Sequence, residues 1–270
     1  KTKILSSASA SEIDKNVQTT VPVWGNCKQT LPLLTELVQT NDHSNWMEQF
    51  QLKFQKEKEV LIDKELHPTE GGLTMGEVIQ VLNELTNSDA VIVTDVGQHQ
   101  MVACRYATQV CSRSNITSGG LGTMGYALPA AIGAKFGAPQ RQVVAIMGDG
   151  GAQMNIQELG TIMQFQPNVK ILILNNSFLG MVRQWQELFH EKRYSFTDIQ
   201  SPNFVQVAKG YNIDGQQISK RDELKGALKQ MLDHPSSYLL EVAVVHEDNV
   251  FPMVPQGKGV AEIVLTKEEI

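Results

Sequence analysis

Two short apolar runs, each followed by a polar turn, constrain the fold of this chain most. The first covers residues 143–147 and is followed by Gly-Asp-Gly at 148–150; the second covers 169–174 and is followed by Asn-Asn at 175–176. A short apolar run bounded by such turns is typical of a buried strand. Glycines beside a carboxylate let backbone N–H groups close around an anion without obstruction by a Cβ atom. We therefore expect two neighbouring strands that bring a carboxylate and an amide to one loop region.

These two polar turns predict a divalent cation site. Hard cations such as Mg²⁺ take carboxylate and amide oxygens, completed by phosphate oxygens and water, whereas zinc favours Cys or His ligands. Each half also has a plainer interpretation: Gly-Asp-Gly can be only a turn, and Asn-Asn only a polar strand end. Their coincidence in one strand–helix–strand unit favours the phosphate and Mg²⁺ site.

The chain after residue 71 alternates strands with helices. Strands are predicted at 90–95, 143–147, 169–174, 211–218 and 238–245. Helices are predicted after a capping box formed by Thr74 and Glu77, and at 125–136, 155–165, 179–190, 203–209 and 220–232. This alternation predicts an α/β fold, a doubly wound parallel sheet with helices on both faces. Ligands of such sheets bind beyond the carboxyl ends of the strands, which singles out the loops 95–100, 148–152 and 175–180.

The first seventy residues follow a different pattern. They contain a predicted short strand at 21–25, helices at 30–38 and 45–62, and a linker at 67–72. The chain is therefore divided into three parts: 1–70, 71–246 and 247–270. The last part is irregular, as expected of a tail that covers a site.

Composition excludes several classes of protein. The formal net charge of −6 and the lack of a basic stripe argue against a nucleic-acid partner. No apolar run approaches the roughly 18 to 20 residues that span a bilayer, and the polar start is not typical of a signal peptide. Cys27, Cys104 and Cys111 lack metal-binding spacing and are interpreted as free thiols in a reducing compartment. These features predict a cytoplasmic protein without membrane partners.

The glycine-rich segment 120–125 matches the dinucleotide-binding pattern G-x-G-x-x-G. That motif needs a strand directly before it and an acidic residue about 20 positions later. Here residues 112–115 are polar, and the position 20 residues after Gly125 is occupied by Ala145, which is not acidic. The sequence therefore favours another interpretation, in which the glycines let the backbone approach a flat ligand and Met124 supports that ligand from below.

Two further segments each allow two interpretations. His99 follows the predicted strand 90–95 and is either a helix cap or a hydrogen-bond donor to a phosphate oxygen. Met181, Val182 and Trp185 fall at helical spacing, which indicates a core stripe or, at the start of a helix facing the crevice, a pocket wall. The chain has no G-x-S-x-G, HExxH or Cys/His cluster, so hydrolase and zinc functions are disfavoured.

Together these segments resemble thiamine diphosphate enzymes, and in particular the catalytic subunits of the acetolactate synthase (acetohydroxyacid synthase) family. The resemblance is carried by 95–101, 119–133, 148–151 and 175–185. It extends weakly to 12–17, which is similar to the end of the family's central domain. The resemblance thus covers nearly the whole chain and about the last half of such an enzyme.

The resemblance implies ligands for Mg²⁺ and for the cofactor. Mg²⁺ would be held by the Asp149 carboxylate, the Asn176 side-chain oxygen and the Phe178 backbone carbonyl. The residues implied around the diphosphate are Val96, Gly97, Gln98, His99, Gly150 and Gly151. Those implied at the aminopyrimidine and the substrate pocket are Gly122, Met124, Met181, Val182 and Trp185. A Trp at the last position favours 2-ketobutyrate over pyruvate as acceptor in the family.

The family condenses two 2-keto acids with loss of CO₂, pyruvate with pyruvate or 2-ketobutyrate, in branched-chain amino acid biosynthesis. Its activating glutamate lies in the N-terminal domain of the partner subunit of a homodimer or higher oligomer, and FAD binds mostly in the central domain. The resemblance therefore implies no catalytic residue in this chain, no activity of the chain alone and an FAD site largely outside it. It also allows a small regulatory subunit as a partner.

Two alternatives remain open at this point. A pyruvate oxidase or a benzoylformate decarboxylase-like enzyme would use the same cofactor and is separated by product analysis. A module that only contacts another subunit would gain no activity when the N-terminal half of the enzyme is added.

Overall fold

A computed structural model describes residues 2–270. The chain forms two compact units, Lys1–Lys53 and Phe54–Ile270. The predicted boundary at residue 70 lies inside the second unit.

The first unit contains a small parallel sheet. Its strands are β1, Ile4–Ser7, and β2, Val21–Trp24, followed by the helix α1, Cys27–Leu37. The Asn26 side chain accepts a hydrogen bond from the backbone N–H of Lys28 and so caps α1. The predicted strand at 21–25 and helix at 30–38 are confirmed.

The predicted helix at 45–62 is confirmed, with a change of winding at its end. The helix α2 spans Ser44–Glu57, continues as a wide π turn at Lys58–Ile62 and leads into the short helix α3, Asp63–Leu66. Wide turns of this kind are local departures from the α-helical hydrogen-bond pattern.

The second unit is built on six parallel strands. They are β3, Val91–Thr94; β4, Asn115–Thr117; β5, Val143–Gly148; β6, Val169–Asn175; β7, Asp214–Ile218; and β8, Tyr238–Ala243. Their order in the sheet is β4-β3-β5-β6-β8-β7, and every neighbouring pair is parallel. The strand β4 is not predicted, because it is short, polar at both ends and confined to the sheet edge.

Helices cover both faces of this sheet. They are α4, Met75–Thr86; α5, Gln98–Tyr106; α6, Ala127–Gly137; α7, Asp149–Met154; α8, Leu159–Phe165; α9, Gly180–Phe189; α10, Phe204–Gly210; and α11, Arg221–Asp233. One core joins the sheet to α4, α5 and α11, and another joins it to α6, α8 and α10. Successive residues of β5, such as Val144 and Ala145, alternate between these two cores. The predicted doubly wound fold is confirmed.

Two helix starts differ from expectation. Thr74 accepts a hydrogen bond from the backbone N–H of Glu77, but the Glu77 carboxylate binds Arg221 at 2.7 Å instead of returning to Thr74. The predicted capping box is therefore only half formed. The predicted helix at 155–165 begins as a 3₁₀ turn at Ile156–Glu158 before α8.

The chain beyond β8 is irregular, as predicted. It contains 3₁₀ turns at Val260–Glu262 and Lys267–Glu269, and a single bridge joins Met253 to Val264. Among residues 2–270, no helix is both long enough and apolar enough to traverse a bilayer.

The strand order creates a topological switch point between β3 and β5. From β3 the chain moves outward to the edge strand β4 and then returns to β5 on the other side of β3. Helices on opposite faces leave a crevice at the carboxyl ends of these two strands, which is where ligands of open α/β sheets bind.

Candidate functional site

The loops after β3, β5 and β6 meet around one cavity of about 230 Å³ at the switch point. The predicted site residues that line it are Val96, Gly97, Gln98, His99, Gly122, Met124, Asp149, Gly150, Gly151, Asn176, Phe178, Met181 and Val182. Trp185 does not line the cavity. It is 36% exposed and packs on Phe189, with ring centroids 4.9 Å apart.

Asp149 is the buried carboxylate of the cavity. It begins α7 directly after β5, is 1% exposed, and accepts a hydrogen bond from the Ser201 hydroxyl through Oδ2 at 3.2 Å. Burial raises the pKa of the Asp149 carboxyl to about 6, although the bond from Ser201 and the nearby His99 ring act in the opposite direction. A buried carboxylate of this kind gains by binding a cation.

The two residues after Asp149 are glycines whose backbone packs closely against neighbouring side chains. A Cβ atom on Gly151 would lie 1.9 Å from Asp95 Oδ2, and one on Gly150 would lie 2.9 Å from Leu179 Cδ2. Neither position accepts a side chain without displacing a neighbour. The Gly-Asp-Gly-Gly segment therefore brings peptide groups close to the cavity, as a phosphate group requires.

Asn176 is the second polar group that a strand brings to the cavity. It follows β6, is 4% exposed, and its Oδ1 accepts a hydrogen bond from the backbone N–H of Phe178 at 3.3 Å. This local turn folds the backbone of Phe178 back toward the Asn176 side chain. The Asn176 Nδ2 donates to Gln98 Oε1 at 3.1 Å, so the two ends of the amide have different surroundings.

His99 is held by Asp95, the residue directly after β3. The fully buried Asp95 carboxylate binds His99 Nε2 through Oδ1 and accepts the backbone N–H of Gly125 through Oδ2 at 2.8 Å. The other ring nitrogen, Nδ1, faces Gly148, 2.9 Å from the position of a Cβ atom there. The helix-cap interpretation of His99 is wrong, since the residue lies inside α5 and its ring binds Asp95.

The glycine-rich segment 120–125 contributes Gly122 and Met124 to the lining of the cavity. The Met124 methyl group lies 3.7 Å from the position of a Cβ atom on Gly150. The strand β4 does precede this segment, so the expectation that residues 112–115 lead to no strand is wrong. The acidic residue of a dinucleotide site is still missing, because Ala145 lies buried in β5.

Sequence reasoning missed three residues that hydrogen-bond to predicted site residues from outside the cavity lining: Asp95, Gln184 and Ser201. Asp95 could have been found, because it is a carboxylate at the end of a buried strand in the same way as Asp149. Ser201 lies in an irregular segment, and Gln184 lies in the middle of a helix. Neither position carries a local signal that distinguishes it from an ordinary surface residue.

The donors at this cavity fit Mg²⁺ and a diphosphate. One carboxylate, one amide oxygen and one backbone carbonyl form an oxygen-only set, which suits a hard cation. Within residues 2–270 there is no cluster of three or more His, Cys, Asp or Glu side chains that could hold a metal ion. The glycine-lined backbone leaves room for phosphate oxygens beside Asp149.

The fold and this cavity define an α/β domain with a switch-point cavity that suits a cofactor diphosphate. The chain belongs to the thiamine pyrophosphate enzymes: residues 95–242 match the family described as thiamine pyrophosphate enzyme, C-terminal TPP binding domain. Thiamine pyrophosphate is the same compound as thiamine diphosphate.

Curated relatives of this chain are acetolactate synthases. Acetolactate synthase 1, chloroplastic, of Nicotiana tabacum is 37% identical over 269 residues, which cover 94% of this chain and 40% of the relative. Acetolactate synthase isozyme 2 large subunit of Escherichia coli (strain K12) is 44% identical over 187 residues, 69% of this chain and 34% of the relative. Acetolactate synthase, mitochondrial, of Schizosaccharomyces pombe is 40% identical over 263 residues, 95% of this chain and 39% of the relative. The chain spans about two fifths of the length of the curated relatives it matches.

Proposed function

We propose that this chain is the part of an acetolactate synthase large subunit that binds thiamine diphosphate through Mg²⁺. The observation that carries the proposal is the convergence of Asp149, Asn176 and Phe178 on one buried cavity at the switch point. Two separated segments of the chain supply these residues. Their donor atoms are those that Mg²⁺ uses when it bridges a protein to phosphates.

In this proposal Mg²⁺ is bound by the Asp149 carboxylate, Asn176 Oδ1 and the Phe178 carbonyl. The diphosphate then lies between the loop after β3 and the start of α7. Its oxygens accept hydrogen bonds from backbone N–H groups of that loop and, with the His99 ring in its doubly protonated form, from His99 Nδ1, because Nε2 donates to Asp95. Asp95 holds the His99 ring in the required orientation through Nε2.

The organic part of the cofactor is assigned to the part of the cavity lined by the glycine-rich segment 120–125 and the start of α9. Gly122 and Met124 contact the aminopyrimidine, and Met181 contacts the cofactor from the start of α9. The cavity is smaller than the roughly 300 to 1,000 Å³ of a typical ligand pocket, so it accommodates the diphosphate end and leaves the remainder at its mouth. Val182 and Trp185 form the outer rim, where a 2-keto acid approaches.

When bound, thiamine diphosphate supplies the carbon nucleophile that joins two 2-keto acids after loss of CO₂. The described residues bind and orient the cofactor. The substrates in this proposal are pyruvate with pyruvate or with 2-ketobutyrate, as the resemblance to the acetolactate synthase family implies.

The proposal also covers the assembly and location of the full-length enzyme. We propose that it binds FAD, forms a homodimer or higher oligomer, has a small regulatory subunit and lies in the cytoplasm. The three cysteines are exposed and free, which agrees with a reducing compartment.

Calorimetry of the chain with thiamine diphosphate, with and without Mg²⁺, tests the binding site. We expect binding only with Mg²⁺, and no binding to the Asp149→Ala variant. Unchanged affinity of that variant would refute the metal assignment.

Product analysis of the full-length enzyme with pyruvate and 2-ketobutyrate tests the reaction. Acetolactate and acetohydroxybutyrate are the expected products. A different set of products, such as those of a pyruvate oxidase, would place the chain elsewhere in the family.

A further inference from the structure

Three side-chain amides form a continuous hydrogen-bonded chain behind the cavity. They belong to Gln184 on α9, Gln98 at the start of α5, and Asn176 after β6, and each is buried. At one end, Gln184 contacts the backbone of Val250, beyond the last strand. At the other end lies the proposed ligand of Mg²⁺. We call this chain of three amides the amide relay.

Val250 fixes the orientation of the Gln184 amide at the outer end of the relay. Its backbone N–H donates to Gln184 Oε1 at 2.8 Å, and its carbonyl accepts from Gln184 Nε2 at 3.0 Å. A residue whose backbone N–H and carbonyl lie side by side distinguishes the oxygen of an amide from its nitrogen. Rotation of the Gln184 amide by 180° would place its NH₂ group against the Val250 N–H and its oxygen against the Val250 carbonyl.

The same direction is passed on through Gln98. Its Nε2 donates to Gln184 Oε1 at 3.1 Å and to the backbone carbonyl of Asp248 at 2.8 Å. The Gln98 Oε1 therefore faces inward and accepts from Asn176 Nδ2 at 3.1 Å. Close packing holds this arrangement, because a Cβ atom on Gly180 would lie 2.0 Å from Gln98 Oε1.

The inner end of the relay determines which atom of Asn176 is free for a metal. Since Nδ2 is bound to Gln98, Oδ1 is left on the side of Phe178 and the cavity. Mg²⁺ binds the oxygen of an amide and cannot bind its NH₂ group. An amide that rotates freely presents the wrong atom part of the time.

We propose that Gln184 is a positioning residue for the metal site, which sets the orientation of the Asn176 amide through Gln98 and takes its own orientation from Val250. The proposal rests on the proposed function, because it needs Asn176 as a ligand of Mg²⁺. It adds a residue outside the cavity lining and a segment of the C-terminal tail to the residues on which the metal depends. Partners of metal ligands act in this way when they fix ligand orientation.

The α9 helix offers a matched control two positions away. Gln186 makes the same pair of bonds to the backbone of one residue, with Oε1 accepting from the Ser195 N–H at 2.8 Å and Nε2 donating to the Ser195 carbonyl at 3.1 Å. It belongs to an exposed loop contact and not to the relay. The Gln186→Leu variant therefore loses an equivalent pair of backbone bonds on the same helix without touching Asn176.

The experiment compares Gln184→Leu, Gln184→Glu and Gln186→Leu by calorimetric titration of Mg²⁺ into the chain with saturating thiamine diphosphate. We expect Gln184→Leu to weaken Mg²⁺ binding at least about tenfold, as is typical when the partner of a metal ligand is removed. The Gln184→Glu variant keeps an acceptor for Gln98 and for the Val250 N–H, and in its protonated form it also donates to the Val250 carbonyl, so it should recover most of the affinity. Gln186→Leu should bind Mg²⁺ as the unsubstituted chain does.

Thermal unfolding of the metal-free variants separates positioning from general destabilisation. If Gln184→Leu is folded and binds Mg²⁺ with unchanged affinity, or if Gln186→Leu weakens Mg²⁺ binding equally, the relay is refuted. Should Gln184→Leu fail to fold, Gln184→Glu decides, because a tenfold loss in that folded variant contradicts the proposal. If the unsubstituted chain binds no Mg²⁺, the proposed function fails, and this result differs from the failure of the relay alone.

Discussion

Ser201 donates a hydrogen bond to Asp149 from 52 residues further along the chain, with 3.2 Å between Oγ and Oδ2. The contact joins the loop after α9 to the carboxylate at the end of β5. It stabilises the charged form of a buried acid, which is the form that a cation requires.

Replacement of Ser201 by Ala is expected to weaken Mg²⁺ binding at pH 7. The charged carboxylate loses a hydrogen bond worth about 1.5 kcal/mol, which corresponds to about tenfold in affinity. Calorimetry measures this directly. Thr161→Ala is the control, since Thr161 makes a similar bond to the Glu158 carboxylate outside the cavity. Equal affinities of the two variants would exclude a role of Ser201 at the metal.

Mg²⁺ binding should weaken in acid because the ion binds only the ionised Asp149. With the pKa of this carboxyl raised to about 6 by burial, affinity should fall about tenfold between pH 7 and pH 5. Calorimetric titrations at pH 7, 6 and 5 give the profile. A flat profile over this range would contradict the assignment of Asp149 as the ligand.

The same burial predicts a pH-dependent stability of the metal-free chain. Because the pKa of Asp149 is higher in the folded state, its contribution to stability is complete below about pH 4 and is lost as the pH rises through 6. Asp149→Asn should therefore stabilise the metal-free chain at pH 7.5 by about 3 kcal/mol, and much less at pH 4. Urea unfolding in the presence of a chelator measures both values. A variant that is destabilised at pH 7.5 would contradict this account.

Gly151→Ala should disturb the cavity, because its Cβ atom would lie 1.9 Å from Asp95 Oδ2. We expect a loss of about 1 to 3 kcal/mol in unfolding free energy, together with weaker cofactor binding. Gly226→Ala is the control: Gly226 lies in α11, and a Cβ atom there meets nothing within 4 Å. That variant should be neutral or stabilised by up to about 1 kcal/mol, owing to the higher helix propensity of alanine. Equal stabilities of the two variants would show that Gly151 has room to spare.

Trp185→Ala should change the choice of acceptor in the full-length enzyme while cofactor affinity stays the same. A side chain at the rim contributes about 1 to 3 kcal/mol to discrimination between acceptors that differ by one methylene group. The ratio of acetohydroxybutyrate to acetolactate from mixed substrates should therefore fall about tenfold or more. Phe189→Leu, which removes the aromatic partner of Trp185, serves as a comparison. An unchanged product ratio would remove Trp185 from the substrate pocket.

The sheet and the polar strand ends could be predicted from the sequence, because parallel strands buried on both faces are continuous apolar runs. The run at 169–174 and the amide pair after it show this directly. The strand β4 could not be predicted, since its pairing with β3 depends on a partner that is distant in sequence. The fate of Glu77 is similar: the local capping pattern competes with Arg221, 144 residues away, and the ion pair prevails.

The site was predictable where residues lie next to a strand end. Asp149, Asn176 and His99 could be located because their loops follow apolar runs directly. The contacts of Gln98 were not predictable in this way. Its side-chain amide bonds to Asn176, to Gln184 and to the backbone carbonyl of Asp248, which come from three segments far from Gln98 in sequence.

The contact between Gln184 and Val250 also limits how this domain can be transplanted. A chimaera that ends at β8 would retain every strand, every helix of the sheet and all of the proposed ligands, and would still lack the backbone N–H and carbonyl with which Gln184 is aligned. Anyone who grafts this cofactor site onto another scaffold therefore has to carry the chain through Val250, or supply an equivalent pair of backbone groups from the host.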